Sequence, residues 1–351
     1  MTPSSTARRP LPGLFTRYGA QVQQELYFML PKTGFEMDRV LQYHMGWRNE
    51  QGEALDTPEG QGKALRPALC LFGCHALGGD WNKALPAAAA LEFIHNFSLI
   101  HDDIQDGDIE RRHRPTVWYL WGPGKALVSG DAMHCLAYQT AMGLKEKGIT
   151  QERALRVSQS LVESSLAMIE GQCMDLDFEN NLTISQNQYL DMIRRKTGAL
   201  ITCSVQIGAL LGSEDPSHEE AFIEYGVRLG RIFQVKDDML GIWGYEHQTG
   251  KSAGNDIRRR KKSYPIVYAL ENARPKARNE MAAIYQKKSL SEGDVENVLA
   301  VLEECGARRQ AQSLIEAEAS SGLRSLEGLP LHAWAKQEAE ELIDFLVNRE
   351  Y

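Results

Sequence analysis

Apolar residues recur at helical spacing along most of the chain. The spacing predicts helices at 14–30, 36–45, 67–77, 86–106, 125–147, 151–179, 186–212 and 218–240. Shorter helices follow at 266–273, 277–287, 293–304, 309–321 and 332–348. Alternating apolar and polar runs bounded by turn residues do not recur, which argues against a sheet architecture. No repeat of fixed length and no Pro- or Ser-rich linker interrupts the pattern. Residues 1–12 (MTPSSTARRPLP) read as a disordered leader. The expectation for residues 13–351 is therefore a single all-α domain, a helical bundle around a central cavity.

Two stretches depart from ordinary amphipathic helix. The first is Leu99-Ile100-His101-Asp102-Asp103-Ile104-Gln105-Asp106, the end of an apolar run that begins with Ala84 and has Pro86 in its first turn. On a helix Asp102 and Asp106 lie one turn apart on one face, and such like charges destabilise it unless something compensates them. A hard divalent cation does so, since carboxylate oxygens are its preferred ligands and Mg²⁺ keeps positions open for a phosphate. A lone acidic cluster of this kind is as readily a solvated helix end. Here Arg111 and Arg112 follow directly, so cation ligands and anion ligands stand side by side, as a metal-bridged diphosphate requires. The second stretch, Phe233-Gln234-Val235-Lys236-Asp237-Asp238, repeats the arrangement on another buried-looking helix. A glycine-containing loop over 245–256 follows, with the character of a lid, and then a basic run, Arg258 to Lys262. A further loop delivers Lys63 and Arg66 to a helix start, where they could clamp an anion.

Composition narrows the reading. The 351 residues are 43% hydrophobic and 25% charged, ordinary values for a globular protein. A net charge of −8 argues against wholesale nucleic-acid binding, so any phosphate site must be a local basic cluster. Six cysteines are scattered without CxxC pairs and suit reduced core thiols in the cytoplasm. No run of about 20 apolar residues is present to span a membrane, and the start of the chain lacks a signal-like apolar segment.

Eight ordered motifs together resemble the trans-isoprenyl diphosphate synthases, or polyprenyl synthetases, over about residues 60–270. GKALRP is similar to that family's GGKxxRP, and Glu92-Phe93-Ile94-His95 leads into SLIHDDIQD. RRHRPT, the Gly130-Asp131 pair, Gly171-Gln172-Cys173-Met174-Asp175, Lys196-Thr197-Gly198, FQVKDD and GKSAGND complete the set. The resemblance implies an isoprenoid-synthase bundle, a homodimer, and a Mg²⁺-dependent prenyltransferase joining isopentenyl diphosphate head to tail with an allylic diphosphate.

It also implies roles. Asp102, Asp106 and Asp237 would hold about three Mg²⁺ ions, with Mn²⁺ a possible substitute, and Asp103, Asp238 and Lys196 would join them in catalysis. Arg111, Lys196, Thr197, Gln234, Lys251 and Lys261 would bind the allylic diphosphate. Lys63, Arg66, His95 and Arg112 would bind the isopentenyl diphosphate. Dimer pairing would use the Ala-rich helix from 86 and the helix from 125, while the helices after 266 would add scaffold and no chemistry.

Three positions depart from the family pattern. Gly241 stands where a third aspartate is usual, His113-Arg114 replace a glycine and a variable residue, and Arg260 replaces a glycine, leaving open whether Lys261 or Lys262 makes the contact. Product length should be set by the residues four and five before Asp102, namely Ser98 and Phe97. An aromatic residue there resembles the short-chain members that stop near geranylgeranyl diphosphate. Farnesyl or longer products are the alternatives, as is a terpene cyclase on the same fold, although a cyclase would not need the second basic set.

Overall fold

The computed structural model describes residues 11–349 except 58, 61, 180 and 245–253. The expected leader therefore lies almost wholly outside the described residues, and the chain becomes helical at Gly13. Helices α1 (Gly13–Met29), α2 (Glu36–His44) and α3 (Leu65–Ala76) lead into α4 (Leu85–Asp106). After a small hairpin come α5 (Val117–Trp121), α6 (Pro123–Met142), α7 (Gln151–Phe178), α8 (Gln186–Ile193), α9 (Ala199–Gly212) and α10 (Pro216–Trp243). The remainder is α11 (Asn255–Arg258), α12 (Tyr264–Asn272), α13 (Pro275–Tyr285), α14 (Glu292–Glu304), α15 (Ala307–Ser325) and α16 (Ala333–Asn348).

The fold is an all-helical bundle, as the periodicity predicts, and α4 is its axis. Pro86 sits in the first turn of α4, and Gly107 closes it with a left-handed φ of 67°. Ala87 to Leu91, Phe93 and Ile94 carry no polar side-chain atoms, and all of them are buried in the main core against α3, α6 and α9. A helix apolar on every side has to be inside. That placement corrects one expectation: the Ala-rich helix is core and has no free face for a second subunit. Apolar surface is exposed instead on α6, at Leu127 and Val128, and along α7 at Leu155, Val162, Leu166, Ile169 and Leu176.

Other differences concern the site. The predicted helix over 186–212 is broken by a π-helical segment, Arg194–Gly198. The predicted 111–124 loop contains the two-stranded hairpin Glu110–Arg111/Arg114–Pro115 and then α5. The helix expected over 125–147 starts earlier and stops at Met142. None of the described helices is long and apolar enough to cross a membrane.

Candidate active site

Helices α4 and α10 bring their aspartates to opposite walls of one space. It consists of adjoining cavities of about 860 and 630 Å³ that share the lining residues Gln105, Arg111, Asp175, Lys196, Asp237 and Lys261. Asp106 lines the larger and Asp102 the smaller, while Asp237 borders both and is 55% exposed. Burial pushes the Asp102 carboxyl up to about 6 against the pull of Lys196, and the Asp106 charge pushes the same way. Asp106 is raised chiefly by burial too. Ionising both is costly in this setting, which is the electrostatic condition that a bound cation relieves.

Asp103 and Asp238, the other two predicted aspartates, are turned away from the cavities. Asp103 is 1% exposed and accepts from Arg111 Nε at 2.7 Å. Asp238 is fully buried and accepts from the Tyr189 hydroxyl, the Tyr264 amide at 2.9 Å and Gln234 Nε2 at 3.1 Å. Both hold cavity-lining groups in place and neither borders the cavity itself.

The π-helical segment explains how Lys196 and Thr197 enter. One extra residue per turn re-aims side chains locally, and such bulges recur at functional sites. Gly171 on α7 admits this geometry: a Cβ there would stand 2.2 Å from the Lys196 nitrogen and 2.7 Å from its Cα. Lys196 Nζ then pairs with Asp175 Oδ2 at 2.5 Å, one turn further along α7. Thr197 Oγ1 donates to Gln234 Oε1 at 2.7 Å, linking it through Gln234 to Asp238. Asp175 belongs to the GQxxD element, so its position was visible in the sequence although its role as the Lys196 partner was not.

Of the two lysines left open by the sequence, Lys261 faces the cavity. Its Nζ lies 3.4 Å from Asp238 and 3.7 Å from Asp256, and these carboxylates hold it firmly protonated despite burial. Lys262 borders only the larger cavity, and its Nζ is engaged there, donating to the carbonyls of Glu179 at 2.7 Å and Arg260 at 3.3 Å, and is pushed down to about 8 by burial. Arg260 takes a left-handed φ of 55° where a glycine would be at ease. At Gly241 the space a side chain would occupy holds the Asp256 carboxylate, whose Oδ2 would lie 2.2 Å from a Cβ. Asp256 thus supplies acidity to this wall from α11. Arg259 pairs with Asp108 at the rim. Lys251 lies outside the described residues.

The hairpin sets the second basic group. Arg112 and His113 both have positive φ, 53° and 63°, as a two-residue I′ turn requires, although neither is glycine. This strained turn sends Arg111 to Asp103 and Arg112 to the Gly60 carbonyl at 3.0 Å. Arg66, His95 and Arg112 line the smaller cavity together. Burial lowers Arg66 to about 10 and holds His95 neutral, with Arg66 and Arg112 pushing the histidine the same way. Lys63 does not reach that lining; its Nζ rests 4.9 Å over the Phe345 ring.

Away from the charges the smaller cavity is apolar. Phe97 and Ser98 line it, and Phe97 is 6% exposed. His134 of α6 stacks on Phe97 with centroids 4.4 Å apart and planes at 21°, and it contacts the Tyr138 hydroxyl at 2.9 Å. Sequence reasoning missed His134, three residues beyond the Gly130-Asp131 element. It also missed Arg349, whose Nη2 lies 3.6 Å from Asp237 and whose guanidinium stacks on Phe233 at 4.3 Å. The last helix therefore brings a charge to the site, contrary to the expectation of scaffold alone.

Residues 52–302 match the family model for polyprenyl synthetase. A geranylgeranyl diphosphate synthase of Mycobacterium tuberculosis is 38% identical over 285 residues, 81% of this chain and 79% of that protein. A (2E,6E)-farnesyl diphosphate synthase of the same organism is 35% identical over 317 residues, 90% of this chain and 86% of that one. Among solved structures, a polyprenyl synthetase from Streptomyces coelicolor superposes with a TM-score of 0.86 at 34% identity, covering 95% of this chain and 98% of that one. A geranylgeranyl pyrophosphate synthase from Corynebacterium glutamicum, complexed with isoprenyl diphosphate and magnesium, superposes at 0.80 with 25% identity, covering 97% and 100%.

Proposed function

Because the chain belongs to the polyprenyl synthetase family and is a short-chain prenyltransferase, we propose that it condenses isopentenyl diphosphate with an allylic diphosphate and releases mainly geranylgeranyl diphosphate. One observation carries this reading: two separate basic groups border a cavity whose opposite walls are acidic and whose far end is apolar. Lys196, Lys261 and Arg111, with Thr197 and Gln234, form the group beside the aspartates. Arg66, His95 and Arg112 form the other. A cyclase needs one diphosphate site, whereas this arrangement offers two.

The family uses a divalent metal. The donor set fits one: Asp102, Asp106 and Asp237 offer carboxylate oxygens alone, and at Asp102 and Asp106 burial disfavours the ionised carboxylates in a way that a cation offsets. Among the described residues no three such groups converge on one point. When bound, about three Mg²⁺ ions, or Mn²⁺ in their place, would neutralise the departing diphosphate so that the allylic carbon–oxygen bond can ionise. The chain's part is to hold both substrates. Lys196 and Lys261 present fixed positive charge to the leaving diphosphate, and the Thr197 hydroxyl exchanges its bond to Gln234 Oε1 for one donated to a diphosphate oxygen. Arg66 and Arg112 place the second diphosphate so that the isopentenyl double bond faces the ionising carbon. The attack forms the new carbon–carbon bond, and the proton then lost from the isopentenyl unit passes to the departed diphosphate.

Phe97, with Ser98 beside it, is the floor against which the growing tail stops. A fifteen-carbon product is the second reading, favoured by the His134 ring lying against Phe97. We further propose a cytoplasmic homodimer whose seam is the exposed apolar stripe of α6 and α7. The test is to supply isopentenyl diphosphate and Mg²⁺ with allylic starters of five, ten and fifteen carbons, then chromatograph the dephosphorylated products. A twenty-carbon main product is expected, and failure to elongate any starter would overturn the reading.

A further inference from the structure

The tail end of the smaller cavity can be followed layer by layer along α4, α6 and α7. Beside the aspartates, Gln172 Nε2 of α7 donates to Gln105 Oε1 of α4 at 2.7 Å. One turn further in, His101 of α4 meets α6, its Nε2 lying 3.0 Å from the Leu127 carbonyl. At the next turn Phe97 stacks on His134 of α6, and Met168 and Ile169 of α7 line the cavity beside them. Inward, residue numbers therefore fall along α4 and α7 and rise along α6. One turn deeper come Phe93 and Ile94 of α4, Tyr138 of α6 and Ser165 of α7. None of these four lines the cavity; Phe93 and Ile94 are fully buried and Ser165 is 2% exposed.

That deeper layer is closed by a polar bridge. The Tyr138 hydroxyl donates to Ser165 Oγ at 3.2 Å, tying α6 to α7, and it lies 2.9 Å from His134 Nε2. A hydroxyl has one proton to give. With Ser165 taking it, His134 Nε2 is the donor to Tyr138. One line of hydrogen bonds thus runs from His134, against the Phe97 face, inward to Ser165. It holds the His134 ring flat on Phe97, and it stands in the path of any tail that passes that ring. An apolar tail going through would part the hydroxyl from Ser165 and His134 and leave buried polar groups unpaired, a loss no prenyl group makes good. Phe97 excludes the tail by volume; the bridge excludes it by hydrogen bonding.

We propose that Tyr138 is a specificity-determining residue, a second stop one turn below Phe97 that acts through its hydroxyl. This rests on reading Phe97 as the floor of the cavity.

The test is chromatography of the products that each variant makes from one allylic starter. Phe97→Ala should add one five-carbon unit and stop at the bridge. Phe97→Ala with Tyr138→Phe keeps the ring and deletes the hydroxyl. The ratio of products beyond that stop to products at it should then rise about tenfold, the scale of one unpaired buried hydroxyl. Phe97→Ala with Ser165→Ala unties the hydroxyl from α7 and should raise the same ratio, which keeps the test open if the Tyr138 variant does not fold. Tyr138→Phe alone should leave the main product unchanged, because Phe97 still stands above it. The ratio does not depend on total activity, so a merely structural role, which lowers Tm or kcat, would not move it. Double variants with the distribution of Phe97→Ala overturn the proposal and leave the floor intact, as does a Phe97→Ala product that alone runs on past one added unit. If neither Phe97→Ala nor the double variants lengthen the product, the tail does not take this path, and the floor and the second stop fail together.

Discussion

Replacing Gly171 with alanine tests how tightly the site's geometry depends on one helix contact. The added Cβ would lie 2.2 Å from the Lys196 nitrogen, 2.7 Å from its Cα and 2.9 Å from the Arg195 carbonyl carbon. All three are backbone atoms, so no rotamer change relieves the overlap. Reaching an ordinary contact of 3.4 Å means that α7 and the π-helical segment separate by about 1.2 Å. Overpacking of this kind costs about 1–3 kcal/mol. For 351 residues at about 2.1 cal/mol/K each, the unfolding entropy is roughly 0.7 kcal/mol/K, so 2 kcal/mol lowers Tm by only about 3 °C. The catalytic loss should be larger. Asp175 is one turn along α7 from Gly171, so the same displacement pulls its carboxylate off Lys196 Nζ, now 2.5 Å away. A misplacement of about 1 Å at a positioned group can lower the rate ~100-fold, equal to ~2.7 kcal/mol of transition-state stabilisation. The assay is kcat/KM with labelled isopentenyl diphosphate beside a thermal melt. A Gly171→Ala protein whose kcat/KM stays within twofold of wild type would refute the argument, whatever its Tm.

The helices were legible because burial imposes a period. α4 reads as core from its alanines, and its end reads as a ligand site because carboxylates there are expensive without a cation. Asp102 and Asp106 stood out by their spacing; Asp102 lines the smaller of the adjoining cavities and Asp106 the larger. The same spacing could not tell them from Asp103, because which aspartate turns inward depends on helix rotation and on where Arg111 returns from the hairpin. The break at Arg194–Gly198 was illegible for a related reason: Arg-Arg-Lys-Thr-Gly has no proline and its one glycine comes last, while the close passage of α7 at Gly171 is visible only in space. His134 and Arg349 belong to helices distant in sequence from the acidic motifs, and their nearness is purely tertiary. Gly241 was visible as a missing aspartate. That Asp256 fills its place could only be seen in space.

Asp102→Ala or Asp106→Ala should abolish turnover at millimolar Mg²⁺ while leaving the metal-free protein as stable as wild type or more so, since burial already disfavours their ionised forms. Near-normal activity in either variant would remove the metal site. Lys261→Ala should raise the allylic KM at least tenfold, whereas Lys262→Ala should leave it unchanged and lower Tm, because Lys262 bonds only to carbonyls and covers Tyr285 at 5.1 Å. The reverse pattern in the two KM values would mean that the lysines were assigned the wrong way round. Sedimentation should find a dimer at micromolar concentration, and Leu166→Glu, on the exposed stripe of α7, should shift it toward monomer; a wild-type monomer would rule out the seam. Phe97→Ala should lengthen the product. The ring is 6% exposed in the floor and stacked on His134, so its removal deletes that contact and opens space continuous with the cavity. Phe→Ala in a core costs about 3–5 kcal/mol when a void remains, but here a longer prenyl tail can enter the void and bury its own apolar surface, at about 0.8 kcal/mol per CH₂. Each further five-carbon unit should therefore be favoured until the tail meets the next obstruction, and His134→Ala combined with Phe97→Ala should lengthen the product beyond either single change. Chromatography of the products from one allylic starter reads this directly. A distribution unchanged in Phe97→Ala and in the double variant would place the floor elsewhere in the cavity.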